Sequence, residues 1–351
     1  MTFYEEPNNS EGNSRETVYH TGNGFYNPYV EPMWKKERRL IRNAANGIGL
    51  ASLGYAAISV LSGAFYMLLM SLVFPAANIH GMLYVTETAE WLFTLVTYMV
   101  SLALPFGIYA LCIKMPLKVA LPFKKAKTDI AVGGVLISLG MGIMASYAVS
   151  FLQIGLESIG IGITMPELEM PETIPAIIIY VMVLTVAPAF FEEIVFRGIV
   201  MQSLRRFGDI FALVSSALIF GIFHLNLIQM PYAFIMGLCI GYFVMRTGSL
   251  WVGIIIHLIN NSVAVAFEFV YPYLSEKMIY ITDIVYALIC VFLSVAGLVF
   301  LLLRYKDMFR FEPSRTVLTP GKRTTYFITA PILIAAMIMA VIMTIPYIHI
   351  I

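Results

Sequence analysis

The sequence runs to 351 residues, 60% of them apolar and only 12% charged, with 22 Lys and Arg against 21 Asp and Glu. Soluble domains carry about 25% charged residues, so this chain has too little polar surface for a water-soluble enzyme, and its apolar content excludes a disordered regulator. The net charge of +1 supplies no basic field for nucleic acid. Cys112, Cys239 and Cys290 lie in apolar runs without metal or redox spacing, and read as small buried hydrophobes rather than a disulfide framework. The composition is that of an all-α, polytopic transmembrane helical bundle.

In chain order, the first 33 residues are polar, with Asn8, Asn9, Ser10, Gly12, Asn13 and Ser14 close together and no short apolar stretch of the signal-peptide kind. They read as a cytoplasmic tail. With the basic interfacial segment around Trp34, this tail region covers residues 1–45 and precedes a transmembrane domain of 46–351. A hydrocarbon core about 30 Å thick takes about 20 apolar residues as helix. Nine spans are predicted on that basis, at 46–74, 91–113, 129–155, 174–203, 209–228, 231–246, 250–268, 278–303 and 325–347.

Lys and Arg sort onto cytoplasmic loops. Lys35, Lys36, Arg38, Arg39 and Arg42 precede the first span, and Lys114, Lys118, Lys124, Lys125 and Lys127 follow the second. Arg205 and Arg206 follow the fourth, Arg246 the sixth, and Arg304, Lys306, Arg310, Arg315, Lys322 and Arg323 the eighth. In a nine-span topology these loops share one side, which puts the N-terminus in the cytoplasm and the C-terminus outside. The outer loop 156–173 carries Glu157, Glu167, Glu169 and Glu172 and reads as charge balance alone. No internal repeat is visible.

Ionisable side chains at membrane depth are costly and mark function. They concentrate here in three spans: Glu192, Glu193 and Arg197 in the fourth, His224 in the fifth, and His257 with Asn261 in the seventh. Residues four apart share a helix face, so Glu193 and Arg197 are expected to pair structurally. Glu192, rotated by about 100°, stays available for chemistry. His257 and Asn261 share a face in the same way, and Phe220 lies one turn from His224. Pro188 has no N–H for the carbonyl of Leu184, which predicts a kink beside Glu192. Depth is uneven: at 1.5 Å per residue, Glu192 and His224 sit about 20 Å from the basic ends of their spans, and His257 only about 10 Å.

Two chemistries suit this set. A carboxylate and an imidazole aimed at one water make a general base, while a second His and an Asn donate to the oxyanion of a tetrahedral intermediate. Alternatively, Glu192, His224 and His257 count as three zinc ligands with water in the fourth position. There is no HExxH helix and no GxSxG elbow.

The ordered set Glu192-Glu193-x-x-x-Arg197, Phe220-x-x-x-His224 and His257-x-x-x-Asn261 resembles the three-motif signature of the CPBP family. This family comprises the CAAX proteases and bacteriocin-processing enzymes, also called ABI or type II CAAX prenyl endopeptidases. The resemblance covers roughly residues 174–265, with a motif-bearing core at about 174–268. It implies an intramembrane endopeptidase in which Glu192 and His224 activate water, His257 and Asn261 hold the oxyanion, and Glu193 and Arg197 support the site. The family core has about eight helices, one fewer than the nine spans here. A divalent metal such as zinc and a metal-free glutamate mechanism are both consistent with it. The implied partners are the lipid bilayer and a membrane-bound protein or peptide substrate, lipidated or leader-bearing, in the plasma membrane; nucleic acid is not expected. The alternatives are a non-catalytic membrane scaffold or bacteriocin-immunity protein, and a transporter using Glu192 and the histidines as a proton relay.

Overall fold

The computed structural model describes residues 31–73, 87–164, 169–311, 313–314 and 316–351. Most of the polar tail, together with His20, His80, Glu167 and Arg315, lies outside them. The helices are α1 (Met33–Val73), α2 (Glu87–Cys112), α3 (Thr128–Glu157), α4 (Ile174–Phe207), α5 (Asp209–Phe223), α6 (Gln229–Thr247), α7 (Leu250–Val270), α8 (Glu276–Arg304), α9 (Pro320–Ile328) and α10 (Pro331–Thr344). A single helical turn, Leu117–Ala120, sits between α2 and α3. Strands β1 (Ile161–Ile163) and β2 (Ile348–Ile350) pair antiparallel, Ile161 opposite Ile350.

Among the described residues, seven helices are long and apolar enough to cross a membrane: α1 to α4 and α6 to α8. The other two predicted spans differ from expectation. At 15 residues, α5 is about 22 Å long, shorter than a hydrocarbon core. It turns back through α6 as a hairpin. The last span is α9 and α10, bent by 65°. Pro331 opens α10, and the N–H of Ile332, unpaired in the first turn of a helix, donates to Asn46 Oδ1 of α1 at 3.0 Å.

The two ends of the bundle differ as the charge pattern predicts. At one end, Glu37 accepts from the amides of Val317 and Leu318, Arg42 donates to Thr329 O, Tyr305 donates to Asp129 and Arg246 donates to Arg310 O. These contacts gather the starts of α1 and α3 and the ends of α6 and α8, next to the basic segments. At the other end, Glu87 accepts from the amides of Glu172 and Thr173 at the start of α4, and β1 meets β2.

The unevenness of depth is resolved by where α7 begins. Ser249 and Leu250 are completely buried. Leu250 N donates to Pro122 O at 3.0 Å, Ser249 Oγ donates to Lys124 O, and Phe123 bridges to Ser249. The α2–α3 connection thus folds into the bundle beneath α7, and His257 starts from inside the protein.

The fourth span holds no break at Pro188. It is one continuous helix in which α-helical turns alternate with π-helical stretches at Met182–Val186 and Glu193–Val200. Such i→i+5 stretches occur disproportionately at functional sites. The core lies around α4 to α7 and the inner face of α2, with Phe106, Phe196, Ile240 and Phe243 fully buried. By contrast, α8 packs on α3 and turns Leu288, Phe292 and Leu303 outward, as a lipid-facing surface requires.

Candidate active site

A line of buried polar groups crosses the interface of α2, α4 and α7. Glu193 has no exposed surface. Its Oε1 accepts from Arg197 Nη1 at 2.8 Å and from His257 Nδ1 at 2.9 Å. With Nδ1 committed, the other imidazole nitrogen, Nε2, lies 3.8 Å from Glu192 Oε2. Glu192 Oε1 in turn accepts from Tyr98 Oη at 2.6 Å. Glu192 Oε2 is buried and has no hydrogen-bond partner. The order Arg197–Glu193–His257–Glu192–Tyr98 leaves Oε2 of both Glu192 and Glu193 without a partner, and of the two it is Glu192 Oε2 that the oriented imidazole faces through Nε2.

The two adjacent glutamates do different work because of helix phase. Glu193 and Arg197, four apart, form the pair that their spacing suggests. Both are essentially unexposed, so breaking the pair would strand a charge in low dielectric. Arg197 is further held by the carbonyl of Gly237 on α6 at 3.5 Å and lies 4.2 Å over the ring of Phe220, a cation–π contact. Gly253 on α7 makes room for this arrangement. A Cβ there would lie 2.6 Å from Val244 Cγ2 and 2.8 Å from Glu193 Oε2.

Phe220 is the hub that ties α5 to the line. Its ring meets His224 edge-on at 4.8 Å and His257 at 6.0 Å, and packs against Phe196 at 5.1 Å. Its carbonyl accepts from His224 Nδ1 at 2.9 Å, so His224 Nε2 is left as the basic nitrogen. His224 sits where α5 ends. The chain turns there through Leu225, at φ 52°, and Asn226 Oδ1 accepts from the amides of Ile228 and Gln229 to start α6.

Asn261 is on the same side of α7 as His257, but its amide is engaged. Asn261 Nδ2 donates to Leu184 O at 3.1 Å. That is the carbonyl to which Pro188 has no N–H to offer, so the proline's expected disruption is met by a side chain from another helix. Asn260 accepts from Tyr232 Oη at 2.6 Å and touches Asn261 Oδ1 at 3.4 Å.

A catalytic zinc site needs three converging donors and an open position. Among the described residues no three His, Cys, Asp or Glu side chains converge in that way. Glu192 and His257 come together, and His224 is oriented by Phe220 rather than joined to them at ligand distance. The donor set as arranged does not fit the ion.

Three contributors escaped the sequence. Tyr98 carries no motif and lies 94 positions from Glu192; it is one of two tyrosines in its span, with Tyr109, and nothing local distinguishes it. Tyr55 of α1 packs tilted against Phe223, with ring centroids 3.9 Å apart. With Tyr98, it lines a cavity of about 310 Å³ between α1 and α2 that extends to Tyr66 and Glu90. Gly253 reads as an ordinary helix glycine until Glu193 is seen against it.

Comparison with known proteins points to the same stretch. A protein from Bacillus subtilis (strain 168) named "Putative membrane peptidase YdiL" is 31% identical over 140 residues, or 39% of this chain and 55% of that protein. The chain thus spans about half the length of that curated relative. No solved structure matches. Residues 174–263, which run from the start of α4 into α7 and hold all seven motif residues, match the family model for the type II CAAX prenyl endopeptidase Rce1-like proteins, and the helical membrane bundle described above is built around that Rce1-like segment.

Proposed function

We propose that the protein is an intramembrane endopeptidase that hydrolyses a peptide bond of a membrane-bound protein or peptide, using Glu192 as the general base. The observation that carries this reading is the buried, unbonded Oε2 of Glu192 facing the oriented His257 Nε2 at 3.8 Å. A carboxylate fixed at one oxygen by Tyr98 has a single direction left in which to accept a proton. In the reaction, Glu192 Oε2 takes a proton from water, the water oxygen attacks the peptide carbonyl, and the proton passes to the departing amine. His224, basic at Nε2, assists the same water from the α5 side.

His257 and Asn261 hold the oxyanion in this scheme. His257 bonds Glu193 through Nδ1 and turns Nε2 toward the developing negative charge. Asn261 donates after its amide leaves Leu184. Glu193 and Arg197 act as positioning residues. The substrate class, membrane-bound and lipidated or leader-bearing, and the plasma-membrane setting are carried over from the family likeness, while the Lys and Arg distribution supports a cytoplasmic position for the basic end of the bundle.

The decisive experiment compares the N-termini of membrane peptides in cells expressing wild type or Glu192→Gln at matched levels. New termini confined to wild type are expected and would reveal the cleavage site. Identical termini with both proteins folded would overturn hydrolysis in favour of a scaffold or immunity role. With Glu192 acting directly on water, a strong zinc chelator is expected to leave cleavage intact. Loss of cleavage that added zinc restores would instead assign Glu192, His224 and His257 to a metal.

A further inference from the structure

A second buried cation lies far from the motif residues, at the basic end of the bundle. Arg323 on α9 is 5% exposed. Its Nη1 donates to the carbonyl of Phe207 and, at 3.2 Å, to Ser314 Oγ. Its Nε is buried without a partner, and among the described residues no carboxylate pairs with it. A buried charge without a counter-ion is unfavourable, so the site calls for an anion.

Arg323 lines a cavity of about 670 Å³ between α5 and a wall drawn from Pro313, Ser314 and residues 316–328. The first turn of α5 borders the same space, and no side chain caps it, so its amides favour negative charge. Gly208, at φ 113°, precedes that turn. A Cβ there would lie 2.7 Å from Arg323 Nη1, so the glycine lets the guanidinium rest against the helix start. Asp209 also borders the cavity, but its two oxygens are matched by Arg205 at 2.8 and 3.2 Å.

The remaining wall combines hydroxyls of Ser215, Thr316, Thr319 and Thr324 with an apolar side that includes Val214, Leu218, Phe327 and Ile328. Val214 and Ile328 are themselves exposed, so the apolar side of the cavity is open at the surface of the bundle. The surrounding basic segments attract anionic lipid. We propose that this cavity binds one anionic phospholipid, with its phosphate against Arg323 and the first turn of α5 and an acyl chain along Val214, Leu218 and Ile328. The joined apolar wall favours a lipid over a free anion. Capping of Phe207 alone would use only one end of the guanidinium.

The test is independent of hydrolysis. Purified wild type, Arg323→Lys and Leu218→Trp are titrated with phosphatidylglycerol, phosphatidylcholine or inorganic phosphate, and bound lipid is read by native mass spectrometry. The expected result is one phosphatidylglycerol per chain, with each variant weakening it about tenfold, as for one charge-assisted bond or one blocked slot. Phosphatidylcholine should bind more weakly, and inorganic phosphate should not displace the lipid. Equal affinity for both lipids, or unchanged phosphatidylglycerol binding in both variants, would overturn the proposal. Full displacement by phosphate with Leu218→Trp silent would also overturn it, in favour of a plain anion site. Because the two substitutions lie on different helices, misfolding of one leaves the other to decide.

Discussion

Helices α4 and α8 are both long and apolar, yet they solve opposite problems. In α8 the buried side is thin, formed by Cys290, Gly297 and Leu301, and large side chains such as Phe292 and Leu303 point outward. In α4 the interior side carries Glu192, Glu193 and Arg197, which meet Tyr98 of α2, His257 of α7 and the carbonyl of Gly237 of α6. An apolar sequence alone is enough to place a helix in lipid. A charged one is stable there only if its neighbours supply the partners, so the placement of α4 depends on α2, α6 and α7 together.

The contrast can be tested by substitutions on either side of it. Glu192→Gln keeps the side chain's size and its bond to Tyr98, so cleavage should fall by about 10²- to 10⁴-fold with the melting temperature nearly unchanged. A cleaving Glu192→Gln protein would remove Glu192 from the role of base. Arg197→Ala leaves the buried Glu193 with His257 as its remaining partner and should cost about 3–5 kcal/mol, read by thermal unfolding in detergent. Leu288→Ala on α8, 66% exposed, should stay within about 0.5 kcal/mol; equal losses would mean that the polar line contributes no more than the lipid-facing surface. Gly253→Ala forces a methyl against Val244 and Glu193 and should destabilise by about 1–3 kcal/mol, as overpacking does, with reduced cleavage. Tyr98→Phe deletes one bond to a carboxylate while keeping the ring. It should slow cleavage about tenfold with the smallest change in melting, and an unaffected rate would show that Glu192 needs no anchor.

The sequence exposes those parts of the molecule that depend on local periodicity. The Glu193–Arg197 pair follows from a spacing of four, and the shared end of the basic loops follows from counting Lys and Arg between apolar runs. What stayed hidden depends on proximity through space. Tyr98 reaches Glu192 across 94 residues, and no spacing on one helix encodes that. The buried start of α7 depends on the α2–α3 connection folding inward, whereas a hydropathy scan assumes that helices begin at the membrane surface. The π-helical stretches of α4 are a backbone choice with no side-chain pattern of their own. The split of the last span at Thr329–Ala330 could have been suspected from Pro331, because a proline is best tolerated in the first turn of a helix.

The bond from Asn261 to Leu184 couples a missing backbone donor in one helix to a side-chain amide in another. Pro188 makes the Leu184 carbonyl available, and Asn261 answers it, so the amide is held in reserve by the same proline. A Pro188→Ala chain would restore an internal donor to that carbonyl, and the two donors would then compete for it. The energetic cost of losing Asn261 should shrink in the Pro188→Ala background, and the difference between the two backgrounds measures how tightly the proline restrains the amide.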